Sequence, residues 1–324
     1  MKVLFIGGTG IISSGCAPLA LDRGIDLYFL NRGKSTRDTP EDAKQIFGDV
    51  RDPKSMEEAL ANMTFDVVVN WIAFTPDHIR QDIEMFAGKV GQYVFISSAS
   101  AYQTPPSTLP VTESTILDNP FWEYSRNKIA CEEMLVEAYR KMKFPMTIVR
   151  PSHTYDQRLL PFDHGWTVVD RMRKGKPVVV HGDGTSLWVL THHKDFAKGF
   201  VPLLGNSHAI GEAYHITSDE LLNWNQIYDI VAAAAGTTAR KVHIASETLA
   251  AHDPNWGPGL LGDKANSMIF DNTKIKRAAP DFVCTYPFAR GAEEIIGWYD
   301  ADPARQVINA EKDALQDKLV EQFG

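Results

Sequence analysis

Val3-Leu4-Phe5-Ile6-Gly7-Gly8-Thr9-Gly10-Ile11-Ile12-Ser13 decides how the rest of the chain is read. Four apolar residues bounded by glycines have the length and composition of a strand buried on both faces. Residues 11–22 then have helical character, and Gly24 supplies a stop. Pro18 inside this stretch predicts a kink. A strand, a glycine turn and a helix in this order are the context in which a glycine-rich turn binds a dinucleotide. Gly7 would permit the tight turn, and Gly10 would let backbone approach a pyrophosphate at the positive helix end. The third glycine of such a pattern is Ser13 here, still small enough for close helix–strand packing. An ordinary strand-to-helix turn is the alternative reading.

Outward from this stretch, apolar strand-length runs recur at residues 27–30, 45–47, 67–70, 93–97 and 146–149. Helical segments at 54–61, 78–89 and 123–141 lie between most of them. This alternation predicts right-handed crossovers and an α/β fold with a doubly wound parallel sheet. Residues 1–150 would form a dinucleotide-binding domain. After Arg150-Pro151 the pattern loosens, with Gly- and Pro-rich stretches at Gly182-Asp183-Gly184 and residues 254–262. Residues 151–302 therefore read as a smaller, loop-rich substrate lobe with some segments returning to the first domain. Residues 303–324 are a charged helical tail with Val307, Leu315 and Leu319 as contacts, a surface or oligomer helix without chemistry.

The composition is that of an ordinary globular protein: 324 residues, 44% hydrophobic and 23% charged. It excludes a disordered or collagen-like chain. Asp and Glu number 41 against 33 Lys and Arg, a net charge of −8. That balance argues against generic nucleic-acid binding, which needs a summed positive field. Cys16, Cys131 and Cys284 are widely spaced, which disfavours a disulfide framework or a zinc knuckle and suggests a reducing compartment. The first apolar run is too short for a signal segment, and no later run approaches membrane-spanning length. A soluble cytoplasmic protein is expected.

The second strand runs into Asn31-Arg32-Gly33-Lys34. An acidic residue there would hold the adenosine ribose and repel a 2′-phosphate. Asn31 removes that repulsion and Arg32 offers a phosphate partner, so the cofactor expectation tilts to NADP, with NAD as the alternative. Arg32 stacked on adenine or facing solvent is the competing reading. Asp49, in Gly48-Asp49-Val50, is a candidate for the adenine amino group or a turn residue.

The most specific constellation is Ser97-Ser98-Ala99-Ser100-Ala101-Tyr102 at a strand end, followed by Tyr124-Ser125-Arg126-Asn127-Lys128 on a helix. Tyr124 and Lys128 share one helix face at i and i+4. A free phenol titrates near pH 10 and is a weak base at neutrality. A neighbouring ammonium and a nicotinamide cation would favour its phenolate; about 4 kcal/mol of preferential stabilisation brings it to neutrality. Ser98 sits where doubly wound sheets place ligands. Alone, a Tyr-x-x-x-Lys pattern is usually surface helix; the ordered combination is what carries the reading.

With these residues, the chain resembles the extended short-chain dehydrogenase/reductase family, in its NAD-dependent epimerase/dehydratase-like branch. The resemblance also rests on Arg150-Pro151, His181-Gly182-Asp183-Gly184 and Asp195-Phe196-Ala197, and it spans nearly the whole chain. It implies a Rossmann fold, with Ser98, Tyr124 and Lys128 as the catalytic triad. It also implies a cofactor held by Gly7, Thr9, Gly10, Ile11, Ile12, Asn31, Arg32, Lys34, Asp49, Val50, Ala73, Tyr124, Lys128 and Pro151. A homodimer through the long helices is typical of the family.

Departures from the family pattern narrow the reaction. Ala99 and Ser100 stand where sugar 4,6-dehydratases carry an acidic pair, which argues against that reaction. Trp188 stands about where nucleotide-sugar members carry an arginine that grips the diphosphate, which puts a nucleotide-sugar in doubt. Ser100, Tyr102, His153 and Trp188 are the substrate-contact candidates, with core packing the competing reading for Trp188 and a structural role for His153. No metal is expected, because His192 and His193 would point to opposite faces of a strand. Asn31-Arg32-Gly33-Lys34, His192-His193 and residues 270–274 look similar to a divergent subgroup that includes plastid RNA-binding proteins.

The leading expectation is an enzyme moving hydride between nicotinamide and a secondary alcohol or ketone carbon of a sugar-like small molecule. Epimerase and dehydrogenase outcomes share one site, and branch resemblance favours the epimerase. The alternatives are a reductase of a non-sugar ketone and, from another class, an RNA-binding or cofactor-sensing protein on the same fold.

Overall fold

β1 (Lys2–Ile6) enters the middle of a sheet with Val3, Leu4, Phe5 and Ile6 fully buried. A computed structural model describes residues 1–324. After β1 come α1 (Ile11–Asp22), β2 (Asp26–Asn31), β3 (Lys44–Phe47), α2 (Pro53–Leu60), β4 (Val67–Asn70), α3 (Pro76–Phe86), β5 (Gln92–Ile96), α4 (Glu123–Met142) and β6 (Met146–Pro151). The second half contributes β7 (His153–Tyr155), α5 (Trp166–Arg173), β8 (Val178–His181), β9 (Leu187–Trp188), β10 (Leu190–His192), α6 (His193–Phe200) and β11 (Ala213–Ile216). The chain ends with β12 (Leu222–Asn223), α7 (Trp224–Ala234), β13 (Lys241–Ile244), α8 (Ser246–His252), α9 (Gly257–Gly259), α10 (Thr273–Ala278), α11 (Phe288–Asp300) and α12 (Ala310–Phe323).

The main sheet is parallel throughout, in the order β11-β6-β5-β4-β1-β2-β3. The chain winds outward from β1 to β3, then returns to pair β4 on the other side of β1. That reversal leaves a crevice at the carboxyl ends of β1 and β4, where open α/β sheets bind ligands. Register aligns Ile6 with Leu30 and Asn70, so three strand ends open at one level.

Alternation along β1 sends Val3 and Phe5 to one face and Leu4 and Ile6 to the other. The first face packs under Phe29, Trp71, Phe196 and Phe200; the second under Ile79, Phe95, Cys131 and Leu135. Each fully buried aliphatic or aromatic side chain contributes roughly 1.5–3 kcal/mol. A run apolar at every position is therefore stable only with helices on both faces.

α1 continues past Pro18 to Asp22, and Gly24 ends it with φ +75°. It packs on α6 so closely that a Cβ at Gly15 would lie 2.4 Å from the His193 carbonyl oxygen. α3 begins at Pro76, two residues earlier than the pattern predicts, because proline suits a first helical turn. β5 ends at Ile96, so Ser97 and Ser98 open the following loop.

Past residue 151, paired short strands and α5, α7 and α11 enclose a separate core. β11, by contrast, joins the main sheet beside β6. α12 docks on its own chain: Leu319 is fully buried against Val179, Ile244 and Leu249. Buried Arg171 donates to Asp313 and Asp317 at 2.5 and 2.8 Å. Val307 remains exposed. No helix is long and apolar enough to cross a membrane.

Candidate active site

Two cavities open along the carboxyl edge of the sheet and share Phe74 as a common wall. The first, of about 440 Å³, lies beside the glycine turn and is lined by Gly7, Thr9, Gly10, Asn31, Arg32, Lys34, Asp49 and Val50, among others. Gly7 has φ +77°, and a Cβ there would lie 2.6 Å from the Ile72 side chain, so the turn needs glycine twice over. Ser13 is fully buried, and its hydroxyl accepts the Gly10 N–H at 2.8 Å. The serine in the third glycine position thus braces the loop. The amides of Ile11 and Ile12 open the helix, where no intrahelical acceptor is available to them.

Three cations surround this cavity: Arg32, Lys34 and Arg51. Arg51 escaped the motif reading although it directly follows Val50. Its guanidinium donates to the Ile72 carbonyl, and burial, with Arg32 nearby, lowers its pKa from the usual arginine value. The Asn31 side chain accepts the Gly33 N–H and donates to Gln45, both at 2.7 Å, so it shapes the loop. Asp49 accepts the Arg51 N–H at 2.9 Å through one oxygen while lining the cavity. Room, cations and helix-end amides suit the pyrophosphate and adenosine end of a dinucleotide.

The second cavity, of about 320 Å³, is lined by Ser98, Ser100, Tyr124, Lys128, Ile12, Pro151, His153 and Trp188 with thirteen other residues, 21 in all. The chain turn after β5 aims Ser98 here: its hydroxyl accepts the Ser100 N–H at 3.2 Å and meets the Ser100 hydroxyl at 2.8 Å. Ser125 donates to Ser100 at 2.8 Å, extending the hydroxyl chain onto α4. Lys128 is 1% exposed and donates to the Ala73 and Ile96 carbonyls, both at 2.7 Å. Two of its three N–H groups are thereby held, and the third is left for a ligand hydroxyl. Burial pulls its ammonium down to about 7.

Burial is also the largest influence on Tyr124, and it raises the phenol above its ordinary value, opposed by the Ser98 hydroxyl. The direction is opposite to the one expected of the Tyr124–Lys128 pair. The reason is burial under the Trp122 and Phe74 rings, while the ammonium, 5.7 Å from the Tyr124 ring centroid, donates to two carbonyls. Ala73 therefore reaches the site through its carbonyl alone, being itself fully buried.

Tyr102 lies elsewhere. It is fully buried, with its hydroxyl 3.0 Å from His215 Nδ1 and accepting from Arg150 at 3.1 Å. Arg150 in turn forms a buried pair with Glu132 at 2.5 Å, which holds α4 to β6. Ile11 does not line either cavity. His153 packs on Trp188 at 4.5 Å between ring centroids, and burial takes it to about 3, so it is neutral. His192 stacks on Tyr286, while His193 meets the Ser14 hydroxyl at 3.0 Å, so both serve packing around α6.

Asp263 is the principal lining residue that no motif announces. Trp188 Nε1 donates to its carboxylate at 3.2 Å, and burial raises its pKa. It sits in a wide helical turn, Leu260–Lys264, of the kind often found at functional sites.

The model of the family described as "NAD dependent epimerase/dehydratase family" matches residues 3–90 and 80–217. The chain is 26% identical over 288 residues to 2'-dehydrokanamycin reductase of Streptomyces kanamyceticus, covering 87% of this chain and 80% of that protein. It is 25% identical over 248 residues to chloroplast stem-loop binding protein of 41 kDa b of Arabidopsis thaliana, covering 72% and 63%. Its fold matches UDP-glucuronic acid 4-epimerase from Bacillus cereus, solved with UDP-glucuronic acid and NAD, with a TM-score of 0.74, 18% identity, and 93% and 99% of the two chains covered.

Proposed function

Since the chain belongs to the NAD dependent epimerase/dehydratase family, we propose that it interconverts a secondary alcohol and a ketone on a sugar-like small molecule, with Tyr124 as acid and base. The observation that carries this reading is one cavity lined by Ser98, Tyr124 and Lys128 and adjoining the cleft at the glycine turn. A bound nicotinamide supplies the hydride donor or acceptor for this chemistry.

The chain's own groups do the rest. The Ser98 hydroxyl orients the substrate oxygen toward the Tyr124 phenol. The phenol gives its proton to a ketone oxygen or takes one from an alcohol. Lys128, pinned by two carbonyls, offers its remaining N–H to a ribose hydroxyl and its charge to the developing phenolate. Six aromatic rings at the cavity wall, Trp71, Phe74, Trp122, Tyr124, Trp188 and Phe270, exclude water from the reacting carbon.

Ala99 and Ser100 leave no acid at the strand end for water elimination, which disfavours 4,6-dehydration. Arg32, Lys34 and Arg51 beside Asn31 favour NADP over NAD. Three free cysteines, two of them buried, suit a reducing cytoplasm. An RNA-binding role finds support in likeness to the stem-loop binding protein, but the −8 net charge and the assembled triad weigh against it.

Native mass spectrometry of the purified protein tests the reading. Addition of NADP should give a complex at the mass of one dinucleotide per chain, and the ligated protein should reduce the nicotinamide with a secondary-alcohol sugar. Absence of dinucleotide binding, or salt-dependent RNA binding in its place, would overturn it.

A further inference from the structure

The substrate end of the second cavity has an unusual charge pattern. Of its 21 lining residues, only Lys128 and Asp263 carry charge, and Lys128 is committed to the Ala73 and Ile96 carbonyls. Asp263 has a single hydrogen-bond partner, the neutral Trp188 indole at 3.2 Å. Lys264 does not line the cavity; its Nζ lies 3.6 Å from Asp163 and 5.5 Å from the Trp188 ring centroid. One carboxylate is left facing an aromatic wall.

Two further features make this a built site. The carbonyl of Gly262 accepts from Asn119 at 2.7 Å, and a Cβ at Gly262 would lie 2.9 Å from the Trp122 side chain. The wide turn carrying Asp263 is thus clamped to the loop that leads into α4. His153, neutral on the same wall, leaves its buried Nε2 without a partner and free to meet a substrate hydroxyl.

A carboxylate framed by Trp122, Trp188, Phe74 and Phe270 is matched to an ammonium, which gains from both the charge and the ring faces. A diphosphate finds the reverse: Lys128 is the one cation in the lining, with two of its three N–H groups held by carbonyls, and Asp263 repels it. We propose that Asp263, oriented by Trp188, receives an amino group, so that the alcohol or ketone presented to Tyr124 belongs to an amine-bearing sugar or cyclitol and not to a nucleotide-sugar. This rests on the function proposed above and names its substrate class.

The test is calorimetric titration of the full chain loaded with NADP. The probes are D-glucosamine, 2-deoxystreptamine and kanamycin, each beside its N-acetylated form, with UDP-glucose as the anionic competitor. At least one amine should bind about tenfold or more tightly than its acetylated form, and Asp263→Asn should abolish that preference. The comparison of free and acetylated probes on the unaltered protein holds whether or not the variant folds. Tyr124→Phe should keep the preference while losing turnover, so retained turnover with the preference intact would count against the catalytic reading alone. Absence of amine preference across the panel, or UDP-glucose binding more tightly than every amine, would overturn the proposal.

Discussion

The two cavities that meet at Phe74 are built by different means. The cleft at the glycine turn is lined by residues between Gly7 and Arg51, glycines and cations prominent among them, and closed by Ile72 and Phe74. The cavity beyond Phe74 gathers 21 side chains from Ile12 to Phe270, six of them phenylalanine, tryptophan or tyrosine. On the proposed reading the first would hold the common part of the dinucleotide, with groups that follow from strand-turn-helix geometry. The second would recognise the substrate, and ten of its 21 lining residues come from beyond residue 150, where the chain has no repeating pattern. On the proposed reading, cofactor and substrate would occupy neighbouring spaces that meet at Phe74.

The comparison breaks most visibly at Tyr124. Tyr124→Phe should lower turnover by a factor of 100 or more while changing the cofactor dissociation constant by less than about threefold, as measured by steady-state kinetics and cofactor titration. Parallel losses in both would show that the two spaces are not separable.

The shared wall gives the next effect. Asp82 is fully buried and accepts from Asn70 at 2.6 Å and Tyr93 at 2.5 Å, while Asn70 accepts the Ile72 N–H at 2.9 Å. This network fixes the end of β4 that separates the cavities. Burial raises Asp82 from 3.8 to about 6. The fold therefore favours its protonated form. That stability is fully present below about pH 4 and is lost as pH rises through 6, a change of at most about 3 kcal/mol. Urea unfolding at pH 4 and 7 should show the loss in the natural chain and not in Asp82→Asn.

On the dinucleotide side alone, Arg32→Ala should reduce NADP affinity relative to NAD by about tenfold and leave NAD affinity within about threefold, read by titration with both cofactors. An equal loss for both would mean that Arg32 packs on the adenine. The smallest expected effect is Val307→Ser, which removes an exposed apolar group and should move the melting temperature by less than about 2 °C.

Much of the fold was legible because buried parallel strands are apolar at every position and short. The runs at 27–30, 67–70 and 146–149 all fall within strands of the main sheet. The pairing of Tyr124 and Lys128 was legible for a similar reason: i and i+4 on one helix is a local relation. Asp263 was not, because what gives it meaning is Trp188, 75 residues away, and a turn clamped by Asn119. Tyr102 shows the converse. It follows the serine-rich strand end as a substrate contact would, yet Arg150 and His215 draw its hydroxyl into the interior. The direction of the Tyr124 shift also lay beyond local pattern, since burial depends on Trp122 and Phe74 packing over the ring.

A crystal structure of the protein with NADP tests the central claim most directly. The account predicts the adenosine between Arg32 and Arg51 and the nicotinamide past Phe74, facing Tyr124, with its ribose within hydrogen-bond distance of Lys128. A dinucleotide lying outside the glycine turn, or a nicotinamide turned away from the Tyr124 phenol, would contradict it.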